Sequence, residues 1–279
     1  MRHVHHLLAV TALLAATACC GPGPVNDPAS LPTAGTLIAE IRGRQAQVRS
    51  LRGETKMDYL SPDGRTKVTV NLAVMRPGRL RFEAENPVSG HTEGTLVTDG
   101  RTFALLDVRA NRFLRGPALA CNVARMTRIA MPPDDVALIL LGSAPLLPHE
   151  RAEVGHTRDG GGREVLTLHL RGGARQRVSV SRKTRDVVEA ELLDAAGRPV
   201  WRLVHEDFRA VGTARLPRKT KFVEPRGKAD ILIRYKDVEA NAAIPDAVFT
   251  LAPPPGMVAR LVGCEDPPPD ASPESQPVP

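Results

Sequence analysis

The 279-residue chain lacks the short motifs that announce common chemistries: it has no GxSxG elbow, no HExxH, no Walker loop and no GxGxxG. The familiar serine-hydrolase, zinc-peptidase and nucleotide-binding classes therefore have no foothold. Cysteine is scarce, at four residues, and neither a CxxC pair nor a Cys/His spacing offers a zinc site. Aromatic residues are only 3% of the chain, and Trp201 is its one tryptophan. Past residue 20 no apolar run approaches the roughly 20 residues that a membrane-spanning helix needs. The formal charge of +7 comes from basic residues scattered singly rather than clustered, which reads as a solvated, arginine-rich surface with no patch for nucleic acid. With 42% hydrophobic and 25% charged residues, the composition is that of a globular protein.

Catalytic candidates are equally sparse. His91, His149, His156, His169 and His205 fall in different segments. Ser89 stands two residues from His91, a spacing that gives a base no line to a nucleophile, and no carboxylate is placed to orient the pair. Glu83 and Glu85 share one strand face, as a solvated face would. An enzyme is not expected, nor any cofactor or metal.

What is present begins at the N-terminus. Arg2 and three histidines precede an apolar run from Leu7 to Ala18 that ends Ala16, Thr17, Ala18, Cys19. The run is too short to span a bilayer, and its end resembles that of a bacterial lipoprotein signal peptide. On this reading residues 1–18 are removed and Cys19 is acylated. Each buried methylene then contributes about 0.8 kcal/mol, and two or more chains anchor stably. The alternative is a secreted protein cut near Ala18, and Cys20 competes with Cys19 for the lipid. With Cys19 modified, Cys20, Cys121 and Cys264 remain in an oxidising compartment. Cys121 with Cys264 is the preferred bridge, and Cys20 with either is the other arrangement.

Residues 19–35 form the lipidated cysteine and a Pro/Gly-rich tether, residues 36–265 a folded domain, and residues 266–279 a Pro-rich tail with too little apolar area to offset its ordering entropy. Within the domain, Leu37, Ile38, Ile41, Val48 and Leu51 mark an amphipathic helix over 36–51, ended by Gly53. The period then becomes two, predicting strands at 53–60, 66–76, 79–85, 93–98 and 102–108, with turns at Pro62–Asp63–Gly64, Pro77–Gly78 and Asp99–Gly100. Helical spacing returns between Pro117 and Leu147. Val123, Met126 and Ile129 mark one helix; after Pro133, Val136, Leu138, Ile139, Leu140 and Leu141 mark a second, stopped by Gly142 and Pro145. This second helix is apolar nearly all round, so it is either covered on both sides or closes over a cavity.

Seven more strands follow, near 152–157, 164–171, 175–182, 186–194, 198–206, 215–225 and 229–238, with turns at Gly160–Gly162, Gly172–Gly173 and Ala196–Gly197. The short connections make these antiparallel meanders. A sheet of that width curls. Val68, Val70 and Leu72, like Ile231, Ile233 and Tyr235, alternate so as to line its apolar concave face.

The run Arg79-Leu80-Arg81-Phe82-Glu83 with Asn86-Pro87-Val88-Ser89-Gly90, and the later run from Ala124 to Asp135 with Leu138 to Gly142, resemble the LolA/LolB-type lipoprotein carriers, in particular the acceptor LolB. The resemblance covers about 36–255. It implies a mainly β (α+β) fold: a curled, unclosed antiparallel half-barrel of about 11–12 strands with an N-terminal helix and a central pair of lid helices. Acyl chains of lipoproteins or phospholipids would sit in its cavity, whose methylenes would otherwise meet water. It also implies that Val88 occupies the membrane-inserting tip, where the family usually carries leucine, and that the protein is a monomer able to receive cargo from a periplasmic carrier. Cys20 rather than aspartate after Cys19 favours the outer membrane, on its periplasmic side. The rival reading is a non-transporting envelope sensor or assembly factor that uses the same barrel as a protein-interaction surface.

Overall fold

The computed structural model describes residues 31–61, 64–86, 88–157, 162–225 and 229–266. The leader, Cys19, Cys20, Pro62, Asp63, Gly160, Gly161 and the tail beyond residue 266 lie outside the described residues. None of the described helices is long and apolar enough to cross a membrane.

Helix α1 (Ala34–Gln47) starts where Thr33 accepts the Thr36 amide on its hydroxyl, and it buries Leu37 and Ile41. It starts earlier and ends earlier than the periodicity predicts. Val48 is already extended, and Leu51 belongs to the first strand. Six strands follow: β1 (Ser50–Ser61), β2 (Gly64–Met75), β3 (Arg79–Glu85), β4 (Thr92–Asp99), β5 (Thr102–Asp107) and β6 (Arg112–Pro117). Next come helices α2 (Ala120–Thr127) and α3 (Pro133–Leu140). The second meander is β7 (Arg151–His156), β8 (Arg163–His169), β9 (Arg175–Ser181), β10 (Val187–Leu193), β11 (Pro199–Val211), β12 (Ala214–Glu224) and β13 (Ala229–Ala240), and a short β14 (Ala259–Leu261) ends the fold.

The fourteen strands of the described residues form one open sheet, in the order β14-β6-β5-β4-β3-β2-β1-β13-β12-β11-β10-β9-β8-β7. The two meanders join along a single seam, β1 against β13, with Leu51 opposite Ala240 and Leu60 opposite Asp230. A register shift interrupts the seam at Gly53. Its φ is +144°, and a Cβ at this position would stand 2.0 Å from the Asp237 carbonyl oxygen, so only glycine is admitted. Gly53 therefore serves a bulge within β1 and does not stop a helix. The fold class is the curled, unclosed half-barrel that the sequence implies, with two strands more than the count of twelve: β6 and β14.

Two apolar layers result. The larger fills the concave side, where α1 and α3 meet the inward residues of the strands. The smaller lies on the convex side, where Val97, Ala104 and Phe113 are covered by Leu251, Met257 and Ala259 of the C-terminal segment. That segment is held by the Arg79–Asp246 ion pair and then runs parallel to β6 as β14, covering what would be an open edge. Buried Asp186 fastens α1 to the turn before β10, taking Arg44 at 2.6 Å and Arg215 at 3.1 Å. From Leu31 onward the chain is one compact unit that contains every core residue named above.

Candidate functional site

The concave face and its helices are the candidate site. Strand alternation turns Val70, Leu72, Ile231, Ile233 and Tyr235 inward, where each is at most 3% exposed, while Val68 is half-buried. They do not line an open space: with residues of α3 they belong to one buried apolar cluster, Val68 lying partly buried against it. Val136, Ala137, Ile139 and Leu140 of that helix are 0% exposed, so the helix fills the concavity and is covered on both sides. Pro133 begins it, and Gly142 at φ +78° ends it, with Ser143 N donating to the Leu138 carbonyl at 3.0 Å.

Helix α2 is held differently. Cys121 in its first turn is disulfide-bonded to Cys264. The buried Arg125 guanidinium donates to the carbonyls of Gly263 and Asp266 at 2.9 and 3.1 Å. Val123 is fully buried. The helix stops at Thr127, with Arg128 left-handed at φ +59°, so the buried Ile129 lies beyond the helix to which its spacing assigns it. Met126 is on α2, but its side chain lies outside the described residues.

Past α3 the chain is laid across the concave face by polar side chains that the periodicity leaves unremarked. Tyr235 Oη donates to the Leu140 carbonyl at 3.0 Å, and Gln45 Nε2 donates to the Ala144 carbonyl at 2.9 Å. Gln176 donates to Pro145 O at 2.6 Å and accepts from Leu147 N at 2.9 Å. One nitrogen of the His205 ring, Nε2, faces Ser143 O at 3.0 Å, and Nδ1 faces Thr220 Oγ1 at 2.9 Å. A carbonyl only accepts, so Nε2 carries the proton and Nδ1 accepts from the threonine. Burial pushes the His205 pKa down to about 4, which leaves the ring neutral at pH 7, and burial pushes Tyr235 well above the usual phenol range. The sequence signal for these residues is Gln176, His205 and Thr220 at inward positions of β9, β11 and β12. What they bind is not readable without the crossing chain.

The two ends of the concavity differ. At the α3 end Leu51, Val74 and Leu80 are fully buried. At the other end, beside the β1–β2 and β3–β4 hairpins, inward Tyr59, Val68 and Ala84 are half-buried and Thr66 is exposed. Tyr59 turns its hydroxyl to Met57 Sδ at 3.2 Å, and burial pushes its pKa up to about 12. Val88, on the β3–β4 turn at this end, is 95% exposed. Its turn is built by Asn86, whose Oδ1 accepts the amides of Val88 and Ser89 at 2.9 and 3.1 Å.

Other recesses are less suited to apolar cargo. A groove of about 720 Å³ opens on the convex face at the Gly53 bulge, but Arg52, Glu54, Arg81, Glu83, Lys236 and Asp237 line it with mixed charge. A recess of about 210 Å³ lies between α1 and the end of α3, beside Leu138, Leu141, Val187 and Phe208. Among the described residues no group of His, Cys, Asp and Glu could hold a metal ion. Glu83 is ion-paired with Arg81, Glu85 accepts from Asn71, and the Ser89 hydroxyl accepts the His91 amide at 3.4 Å.

This arrangement of an open, helix-filled antiparallel half-barrel is a LolA/LolB-like fold. No protein-family model and no curated protein sequence matches the chain. Solved structures do match. A DUF1329 family protein from Desulfovibrio piger aligns with a TM-score of 0.57 at 12% identity, over 78% of this chain and 95% of that one. A LolA superfamily protein from Nitrosomonas europaea aligns at 0.54 and 13%, over 79% and 99%. A domain described as an outer membrane lipoprotein-sorting protein, from Vibrio parahaemolyticus, aligns at 0.52 and 10%, over 77% and 97%. At such identities the likeness is one of fold.

Proposed function

We propose that the protein shelters the acyl chains of a lipoprotein or phospholipid on its concave face, as a lipid-anchored component of lipoprotein localisation at the periplasmic side of the outer membrane. The observation that carries this reading is α3: a two-turn helix, apolar nearly all round, that occupies the concavity without any side-chain cap and, among the described residues, is hydrogen-bonded to the barrel only at its C-terminal end and beyond. It is a displaceable plug. Exposing Val136, Ile139 and Leu140 would cost about 1.5–3 kcal/mol each. One sixteen-carbon chain taking their place recovers about 0.8 kcal/mol per methylene, on the order of 12 kcal/mol, which offsets the loss. Val68, Val70, Leu72, Ile231, Ile233 and Tyr235 would then line the cavity, with α2 and α3 as lid, Cys19 as the anchor and Val88 as the membrane contact. Cargo would arrive from a periplasmic carrier and bind a monomer.

Native mass spectrometry of the protein purified from a lipid-containing host tests this reading, together with uptake of a fluorescent long-chain fatty acid. Bound acyl lipid or saturable uptake is the expected result. A clean unliganded mass with no uptake would remove it in favour of the interaction reading, which one observation also supports: the concave face is filled by the protein's own side chains.

A further inference from the structure

The β11–β12 hairpin parts from the sheet before it ends. Strand β12 pairs with β13 only from Lys219 to Glu224, whereas its pairing with β11 runs on to Val211 opposite Ala214. The departure begins at Asp207, left-handed at φ +54°, where the β11–β12 pairing passes over Asp207 and Arg218. The end of the hairpin lies against the end of α3. A Cβ at Gly142 would stand 2.5 Å from Pro217 Cδ, and the Phe208 ring meets the His205 ring at a steep angle, with centroids 6.1 Å apart. Between this hairpin, α1 and the end of α3 lies the recess of about 210 Å³.

Its walls are of two kinds. Leu138, Leu141, Val187 and Phe208 are apolar, and the partly exposed Arg44 and Arg215 line the recess beside them. Both arginines reach the one buried carboxylate of Asp186, which sets two positive charges against one negative. The arginines next to this group are otherwise engaged: Arg185 pairs with Glu40 and Glu164, and Arg182 lies 3.6 Å from Glu164. Asp186 takes Nη2 of Arg44 and Nε and Nη2 of Arg215. Among the described residues nothing accepts from Nε and Nη1 of Arg44 or from Nη1 of Arg215. Such planar N–H donors suit a carboxylate or a phosphate. The volume is below the roughly 300–1,000 Å³ that encloses a whole drug-sized ligand, so the recess fits the end of a longer molecule.

We propose that this recess is a head-group subsite, in which Arg44 and Arg215 hold the anionic head of an amphiphile while its first methylenes lie against Leu138, Leu141, Val187 and Phe208. The subsite rests on the acyl-chain reading: the rest of the chain enters the space that α3 vacates, which begins at Leu138 and Leu141. It sharpens that reading by naming the ligand class, a long chain ending in a carboxylate or phosphate rather than an uncharged acyl group.

The full chain is titrated at low salt with palmitate, hexadecyl phosphate and hexadecanol, which share a tail and differ in the head, and with inorganic phosphate and acetate as tailless controls. Palmitate and hexadecyl phosphate are expected to bind about tenfold tighter than hexadecanol, the scale of one charge-assisted hydrogen bond at a partly exposed site. Arg44→Gln and Arg215→Gln each remove most of that preference and leave hexadecanol binding unchanged. Each also leaves Asp186 one arginine, so the fold is kept. Asp186→Asn, which releases both guanidiniums, raises the preference, the opposite of what loss of a merely structural carboxylate would do. Arg44→Lys, which keeps the charge, retains the preference, so the result does not depend on Asp186→Asn folding. Equal binding of all three tailed probes, or a preference that survives both glutamine substitutions, overturns the subsite and leaves acyl sheltering in place. Inorganic phosphate binding as tightly as hexadecyl phosphate overturns it as well, in favour of a site for free anions. No binding of any tailed probe removes acyl sheltering itself, and the subsite with it.

Discussion

Helices α2 and α3 are consecutive, equal in length at eight residues and separated by five residues, yet they are attached to the barrel by opposite means. Helix α2 is fixed by the Cys121–Cys264 bond and by Arg125 reaching the C-terminal segment. Helix α3 is held by apolar contact along its length and by hydrogen bonds at its C-terminal end. Apolar contact is non-directional and can be replaced by another apolar group of similar volume, whereas a covalent bond and directed hydrogen bonds cannot. Helix α2 is thus held as a fixed post, and α3 is the part that leaves on the proposed acyl-chain reading.

The largest effect should come from abolishing the apolar fit of α3. Leu140→Glu puts an unpaired carboxylate where no part of the side chain reaches water, and thermal or urea unfolding should show a loss of about 4 kcal/mol or more. An unchanged midpoint would mean that α3 already leaves the concavity unaided. Next is the post. Replacing Cys121 and Cys264 with serine opens a loop of 143 residues' separation, with an expected cost of about 2–5 kcal/mol. A loss well below this range would show that Arg125 and β14 suffice to hold α2.

The pH dependence of stability tests the hydrogen bonds beyond α3. His205 titrates near 4 in the fold against 6.5 for an ordinary histidine, so the unfolded chain binds the extra proton between those values. Stability is therefore complete above pH 6.5 and falls as the pH drops toward 4, by on the order of 3 kcal/mol. A His205→Gln variant should lose that slope, and a slope that persists would place its origin elsewhere. Asp58 and Asp186, whose carboxyls are held below the usual range by their arginines against the opposing effect of burial, lose their contribution at still lower pH. The smallest effect is expected for Tyr235→Phe. It removes the hydrogen bond to Leu140 O at 3.0 Å and a longer contact with the Thr220 hydroxyl at 3.4 Å, about 1 kcal/mol, and should increase fatty-acid uptake by loosening the plug.

The sequence discloses elements whose signal is local. Alternation in Val68-Thr69-Val70-Asn71-Leu72 and turn residues such as Pro77-Gly78 specify strands and hairpins at once. Strand β6 escapes because its hairpin, Val108 to Asn111, contains neither glycine nor proline; Asn111 supplies the positive φ of +47° instead. Strand β14 escapes because three residues carry no period and their partner in β6 is more than 140 residues away. The apolar set of the concave face is legible, but its occupation by α3 is not: an all-round apolar helix is equally suited to a filled core and to a lid. His205 shows the same limit. Its inward position follows from alternation, while its role depends on a carbonyl 62 residues earlier in the chain.

The seam between β1 and β13 bears on how the chain acquires its structure. Each meander can zip through hairpins of neighbouring residues, but Leu51 meets Ala240 only after nearly the whole domain has been made. Non-local pairing of this kind raises contact order and slows folding, since the loop must be closed before its contacts are formed. The two meanders are therefore the natural early units, and the β1–β13 seam, which unites them under one plug helix, is the natural last step.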